Sequence, residues 1–260
     1  MVAFTEEMVD VGGTKVHTLK GGSGEPLLLL HGAGGNTGWL RFADALAEKY
    51  TVYYPSHPGY GKTDRPDWLE TIPDMACFYT WYLESLGLEG VRTIGFSMGG
   101  WIASEIAAMC NHSISKLMLV GAAGVKPNDS EITDIFIISP AQVLDLMYHD
   151  TSQAPEYQKL YGTDPTPEQA MVAETNREMA VRLCWKPYMH DPRLTSLLQR
   201  VKVPARMVWG KNDAIVPVEC GELYKQAING SDLVVIDNCG HSPQVERPEE
   251  FIKTALDFLA

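Results

Sequence analysis

Basic residues are scarce in this sequence of 260 residues. It has 21 lysines and arginines against 33 aspartates and glutamates, so its formal net charge is −12. A negative field of this size repels phosphate backbones and anionic lipid surfaces. We therefore expect neither a nucleic-acid partner nor a membrane partner.

Long apolar runs and paired cysteines are also missing. No run approaches the roughly 20 residues that cross a bilayer, and residues 1–10 carry acids where a signal peptide is basic and apolar. The five cysteines are scattered without a CxxC pair, which favours free buried thiols. The absence of H-x-H and H-E-x-x-H spacings argues against a metal site. We expect a cytoplasmic protein without a bound metal.

The sequence does contain a regular alternation of short apolar runs and helical stretches. Eight runs are predicted strands, and the first two form a hairpin through Gly12 and Gly13. The predicted strands cover residues 7–11, 15–19, 26–30, 50–54, 91–96, 116–120, 205–209 and 233–236. This alternation predicts an α/β fold with a mostly parallel, eight-stranded sheet flanked by helices.

The alternation stops after the sixth predicted strand. Residues 126–200 contain prolines and two amphipathic helical stretches, at 141–148 and 167–185. We predict that this segment is a helical lid, inserted into a core that residues 1–125 and 201–260 form.

A G-x-S-x-G sequence at residues 95–99 lies between the fifth predicted strand and the next predicted helix. Such a sharp turn strains the serine backbone and leaves no room for side chains two positions before and after it. It also places the hydroxyl at the carboxyl edge of the sheet, beside the amides of a helix N-terminus. We predict that Ser97 is a nucleophile.

A serine nucleophile needs a base, and the base needs an acid that orients it. His241 follows the last predicted strand, at the sheet edge where ligands bind in open α/β folds. Asp213 follows the seventh strand and completes the order Ser, Asp, His. Asp237, on the loop of His241, and Asp232, at the opposite end of its strand, are the alternatives. Histidines in less suitable places are His17, His57, His112, His149 and His190.

Two backbone amides are needed to bind the oxyanion of a tetrahedral intermediate. Met98 follows the nucleophile, and Ala33 lies in the glycine-rich loop at residues 31–35. We predict that these two residues supply the oxyanion hole, with Gly34 as the alternative second donor.

These blocks together resemble the α/β-hydrolase superfamily, in particular bacterial carboxylesterases, enol-lactone hydrolases and carbon–carbon hydrolases of aromatic degradation. The resemblance spans nearly the whole chain. It rests on Leu30-His31-Gly32, residues 57–64, residues 95–100, residues 209–213 with Val216-Pro217, and Gly240-His241 with Glu246-Arg247-Pro248.

The resemblance implies an acyl-enzyme on Ser97, proton transfer by His241, orientation by Asp213, and no cofactor. It also implies that the lid shapes the substrate pocket. A serine at position 97 argues against epoxide hydrolases and haloalkane dehalogenases, which have an aspartate there. The sequence departs from many relatives at Ser56 and Thr63, neither of which takes part in the expected chemistry, although both could alter the local loop.

Apolar residues near the nucleophile and in the lid suggest an acyl or aryl pocket. The predicted substrate contacts are Trp101, Gly34 and Trp185, with Phe136, Met147 and Tyr188 as further candidates. A strongly anionic substrate is not predicted, although Arg182 or Lys186 in the lid could bind one.

Our first hypothesis is a carboxylesterase, monomeric or homodimeric, that cleaves small esters. The alternatives are an enol-lactone hydrolase, a hydrolase of a carbon–carbon bond in a vinylogous diketone, and a ligand-sensing protein with slow turnover.

Overall fold

The computed structural model describes residues 2–260, and its eight strands form one sheet. The strands are β1 Phe4–Val11, β2 Thr14–Gly21, β3 Pro26–Leu30, β4 Thr51–Pro55, β5 Val91–Phe96, β6 Ile114–Val120, β7 Ala205–Gly210 and β8 Asp232–Ile236. Their order across the sheet is β1-β2-β4-β3-β5-β6-β7-β8. The pairs β1/β2 and β2/β4 are antiparallel, and all other neighbours are parallel. The predicted mostly parallel sheet is therefore confirmed.

Helices connect the strands and cover both faces of the sheet. They are α1 Arg41–Ala47, α2 Ile72–Ser85, α3 Met98–Met109, α4 Pro140–Met147, α5 Tyr157–Tyr161, α6 Pro167–Cys184, α7 Leu194–Leu197, α8 Val218–Ala227, α9 Pro243–Glu246 and α10 Pro248–Leu259. The sequence pattern does not predict α5, α7 and α9. Each has only four or five residues, too few for a helical period to show.

The central strand β3 shows how the sheet is buried on both sides. Leu27, Leu28, Leu29 and Leu30 are fully inaccessible to solvent. Leu28 and Leu30 belong to the cluster that includes α2, α3 and α8, whereas Leu27 and Leu29 belong to the cluster that includes α1 and α10. Side chains alternate between the faces of a strand, so a continuous apolar run matches a strand covered on both faces.

The segment between β6 and β7 contains α4, α5, α6 and α7. Residues 167–175 at the start of α6 are exposed, and the helix becomes buried from Asn176 onward. The division into a core and a lid stays a prediction. None of the helices within residues 2–260 has the length and apolar character needed to cross a membrane.

All five cysteines are free thiols. Cys184, Cys220 and Cys239 are buried, as predicted, but Cys77 is exposed and Cys110 is half-buried. Cys77 lies on the outward face of α2, whose buried residues include its neighbours Ala76 and Phe78. The prediction of buried thiols is therefore wrong for these two residues, since cysteine spacing carries no information about which helix face is covered.

Candidate active site

The backbone of Ser97 is strained at the junction of β5 and α3. Its φ is 52° and its ψ is −116°, a combination that non-glycine residues rarely adopt. A Cβ atom on Gly95 would lie 2.3 Å from the carbonyl oxygen of Gly99, and one on Gly99 would lie 2.1 Å from that of Leu30. Both positions therefore require glycine, which is the physical reason for the G-x-S-x-G pattern.

Hydrogen bonds to the end of β6 hold Ser97 in place. Its N–H donates to the carbonyl of Val120 at 2.8 Å, and its own carbonyl accepts the N–H of Ala123 at 3.2 Å. The residue as a whole is half-buried. The predicted nucleophile thus lies at the carboxyl edge of the sheet, where β5 and β6 both end.

His241 and Asp213 form a buried pair. The His241 Nδ1 and Asp213 Oδ2 atoms are 2.8 Å apart, and the side chains are 5% and 0% exposed. The other carboxylate oxygen of Asp213 accepts the N–H groups of Ile215 and Val216, each at 2.9 Å. The carboxylate accepts the Nδ1 proton, so Nε2 is left as the proton acceptor that a serine hydroxyl needs.

The end of β6 lies beside both this pair and Ser97. A Cβ atom on Gly121 would lie 3.1 Å from His241 Nδ1 and 3.3 Å from Asp213 Oδ2. Gly121 directly follows Val120, to which Ser97 is bonded. Ser97, His241 and Asp213 therefore gather around two successive residues of one strand end.

The rival acids lie in surface ion pairs. Asp237 binds Lys211 at 2.7 Å, with both side chains more than 60% exposed. Asp232 binds Arg206 at 2.7 Å. Neither carboxylate has the buried contact with His241 that Asp213 makes.

The glycine-rich loop after β3 passes directly beside Ser97. A Cβ atom on Gly32 would lie 3.2 Å from Ser97 Cβ and 3.8 Å from Ser97 Oγ. Ala33, in this loop, is buried, and Met98 begins α3, where the first amides have no acceptor within the helix. The two predicted oxyanion donors are thus on segments that flank the serine.

Two buried histidines fix this loop, a role that the sequence pattern does not predict. The N–H of His57 donates to His31 Nε2 at 2.9 Å, so His31 Nδ1 carries the proton and donates to the Gly32 carbonyl at 2.7 Å. His57 Nε2 donates to the carbonyl of His31 at 2.8 Å, and His57 Nδ1 accepts the hydroxyl of Tyr79.

Burial favours the neutral form of both rings. It lowers the pKa of His31 to about 4 and holds the pKa of His57 well below 6.5. The neutral rings supply one donor and one acceptor each, which is what this network uses. The available sequence signal is that each histidine stands immediately before a glycine-containing turn.

Glu246 holds the loop that carries His241. Its buried carboxylate accepts the N–H of Gly240 and the N–H of Asp150, both at 2.7 Å. The N–H of His241 donates to the carbonyl of Met147, the last residue of α4, at 2.8 Å. The histidine loop is therefore tied to the segment between β6 and β7.

The predicted substrate contacts lie in different surroundings. Trp101 is 3% exposed in the core, and its indole N–H donates to Glu105 at 3.2 Å. Trp185 is 51% exposed, with its ring centroid 6.3 Å from that of Phe136. Gly34 is exposed, and its carbonyl accepts the side-chain amide of Asn176. Contacts of these residues with a substrate stay predictions.

In the part of the chain from residue 2 to 260, no three His, Cys, Asp or Glu side chains are grouped closely enough to hold a metal ion.

One protein family and several known proteins match this chain. The family model described as alpha/beta hydrolase fold matches residues 25–248. The 2-hydroxy-6-oxononadienedioate/2-hydroxy-6-oxononatrienedioate hydrolase of Paraburkholderia phymatum is 30% identical, over 99% of this chain and 96% of its own length. The 2-hydroxy-6-oxo-6-(2'-aminophenyl)hexa-2,4-dienoic acid hydrolase of Metapseudomonas resinovorans is 27% identical, over 99% and 92%.

Among solved structures, the esterase of Exiguobacterium antarcticum superposes with a TM-score of 0.71. It is 27% identical to this chain, and the match covers 99% of both proteins.

Proposed function

The chain belongs to the alpha/beta hydrolase fold family and is a hydrolase, and from this premise we propose that it cleaves a carbon–carbon bond in a 2-hydroxy-6-oxo-dienoate. The main support for the proposal is that this sequence matches curated relatives along almost their entire length. Both relatives described above are named as hydrolases of 2-hydroxy-6-oxo acids, and both align with 99% of this chain. Cleavage of a carbon–carbon bond is one of our alternative sequence-based hypotheses, and it replaces hydrolysis of a simple ester as the first.

In the proposed reaction, His241 removes the proton of Ser97 while Asp213 holds the imidazole. The Nδ1 contact of 2.8 Å supports this division of roles, because it directs Nε2 away from the carboxylate. The serine oxygen then adds to the 6-oxo carbon of the substrate. The carbonyl oxygen becomes an oxyanion, which the N–H groups of Met98 and Ala33 would bind.

Collapse of the tetrahedral adduct breaks the bond between the 6-oxo carbon and its neighbour in the dienoate chain. In the keto tautomer of the substrate, the electron pair passes into the conjugated 2-oxo acid as a dienolate. This delocalisation makes carbon an adequate leaving group. The imidazolium of His241 returns the proton to the dienolate, and water then releases the acyl group from Ser97 as a carboxylic acid.

The proposal is tested by comparing two substrates with purified enzyme. We expect 2-hydroxy-6-oxo-2,4-heptadienoate to be consumed with a kcat/KM at least tenfold above that for p-nitrophenyl acetate. Loss of the dienoate absorbance follows the first reaction, and release of p-nitrophenol follows the second. Rapid ester cleavage with an unchanged dienoate would refute carbon–carbon hydrolysis.

Ester hydrolysis is the second candidate, and the similarity to the Exiguobacterium esterase favours it. The same three side chains would serve, since an alkoxide or phenolate leaves in place of the dienolate. Turnover of short-chain esters only, in the assay above, would support this candidate.

A further inference from the structure

Asn176 is the one buried residue of α6 with a polar side chain. The other buried residues of the helix are Met179, Ala180, Leu183 and Cys184. Asn176 is 7% exposed and follows nine exposed residues, so it lies where the helix first meets the rest of the protein. A buried amide is costly unless its donor and acceptor are both bonded.

Both ends of the Asn176 amide are bonded to backbone groups, one in the glycine-rich loop after β3 and one in the loop after β4. Nδ2 donates to the Gly34 carbonyl at 3.1 Å, and Oδ1 accepts the Gly61 N–H at 3.0 Å. A carbonyl can only accept and a backbone N–H can only donate, so the orientation of the amide is unambiguous. The side chain thus links α6 to Gly34, which is 142 residues away in sequence, and to Gly61, which is 115 residues away.

The contact with the glycine-rich loop is close as well as polar. A Cβ atom on Gly35 would lie 2.3 Å from Asn176 Nδ2, so the amide occupies the space of the missing side chain. The N–H of Gly35 closes a turn onto the Gly32 carbonyl at 3.1 Å. Asn176 therefore fixes the Gly34–Gly35 peptide, next to the predicted oxyanion donor Ala33.

The next turn of α6 makes a matching contact with the second loop. A Cβ atom on Gly59 would lie 2.8 Å from Met179 Cγ. Met179 is 1% exposed, so this face of the helix is packed on the turn that includes Gly59 and Gly61. Asn176 supplies the polar part of this contact and extends it to the glycine-rich loop.

We propose that Asn176 is a positioning residue for the oxyanion hole. Through this residue, the geometry of the hole depends on the packing of α6 against the two loops. When α6 is packed against these loops, the Asn176 amide holds the Gly34 carbonyl and directs the adjacent backbone amides toward Ser97. When α6 moves away from these loops, both hydrogen bonds of Asn176 break and the glycine-rich loop loses this constraint. The inference rests on the proposed function, because it requires a serine hydrolase with an oxyanion hole in this loop.

The test replaces the amide with groups that keep only part of its bonding. In Asn176→Asp the carboxylate still accepts from Gly61, but its second oxygen faces the Gly34 carbonyl and repels it. Asn176→Ser removes both long-range bonds, and water can fill the space. Asn229→Asp, at an exposed position, is the control for the change in charge.

We expect both Asn176 variants to lose about tenfold to a hundredfold in kcat per active site, somewhat less than removal of an oxyanion donor costs. KM should stay within about threefold, because the ground-state carbonyl depends less on the hole. The Ki of phenylboronic acid, which forms a tetrahedral adduct, should rise by the same factor as kcat falls. Titration with a fluorophosphonate gives the active-site concentration, and thermal melting shows that the variants fold.

Equal kcat per site in wild type and both variants would overturn the proposal. A loss of kcat with an unchanged Ki of the boronic acid would also overturn it, because binding of the tetrahedral adduct would then not depend on Asn176. If wild-type enzyme does not react with the fluorophosphonate, the proposed function has failed rather than the role of Asn176. If it does react, the rate of labelling tests Asn176 whichever substrate is correct.

Discussion

At the scale of single residues, Asp213 decides which nitrogen of His241 carries the proton. In Asp213→Asn, Oδ1 can keep its bonds to Ile215 and Val216. The amide N–H₂ then faces His241 Nδ1, which must become the acceptor and leave Nε2 protonated. A protonated Nε2 cannot take the serine proton, so we expect kcat to fall by up to about 10⁴.

The matched control for this substitution is Asp237→Asn. Asp237 lies near His241 in sequence but binds Lys211 at the surface. Steady-state kinetics on whichever substrate the enzyme turns over should show near wild-type kcat for Asp237→Asn. Equal losses in the two variants would contradict the assignment of the acid.

Glu105 is a second carboxyl group for which the structure predicts a measurable effect. It is 1% exposed and accepts one hydrogen bond, from Trp101. Burial raises the pKa of Glu105 above its ordinary value of 4.5. The folded state therefore holds the proton more tightly than the unfolded state. Stability from this group is present below pH 4.5 and is lost as the pH rises through the raised pKa.

Glu105→Gln keeps an acceptor for Trp101 and removes the charge. We expect the melting temperature near pH 7 to rise by a few degrees, since 1 kcal/mol moves it by about 2–4 °C in a protein of this size. The gain should disappear at pH 4. Circular dichroism melts between pH 4 and 8 measure it, with the exposed Glu84→Gln as control. A gain that is independent of pH would show that the charge of Glu105 is not its cause.

At the scale of elements, Glu246 ties the loop after β8 to the segment after α4. Glu246→Gln places an N–H₂ group against one of the two N–H donors, from Gly240 or Asp150, that the carboxylate now accepts. A buried donor left without a partner costs about 1–3 kcal/mol. We expect a lower melting temperature and a several-fold fall in kcat, because the loop carries His241.

Urea unfolding and steady-state kinetics of Glu246→Gln check this prediction together. The exposed Glu250→Gln, on α10, is a suitable control. Unchanged stability of Glu246→Gln would mean that the two N–H groups find other acceptors.

The strands and long helices could be predicted because their signals are local. The predicted bounds of β3 and β5 coincide with those in the structure, and those of α4 and α6 differ by one residue. Apolar runs mark buried strands, and small residues around Ser97 mark a tight turn. Each of these signals lies within one stretch of sequence.

The contacts that organise the site could not be predicted in the same way. The bond from Asn176 to Gly34 and the pairing of His31 with His57 join residues that are 142 and 26 positions apart. No periodicity links such residues, because their proximity depends on how the helices and loops pack. The sequence predicts the chemical groups of the candidate site but not the side chains that hold the surrounding loops.

At the scale of the whole molecule, the sheet order explains how distant residues meet. β5, β6, β7 and β8 lie side by side and run in parallel, so their carboxyl ends form one edge. Ser97 follows β5, Gly121 follows β6, and Asp213 and His241 lie in the loops after β7 and β8. The parallel arrangement therefore brings the predicted nucleophile, acid and base to one edge of the sheet.

We propose that this edge of the sheet turns Ser97 into a nucleophile through His241. The decisive experiment is labelling with a fluorophosphonate, followed by mapping of the adduct by peptide mass spectrometry. We predict one adduct on the peptide containing Ser97, none in Ser97→Ala, and labelling slowed by at least a hundredfold in His241→Ala. An adduct on another residue, or equal labelling of wild type and Ser97→Ala, would show that Ser97 is not the nucleophile.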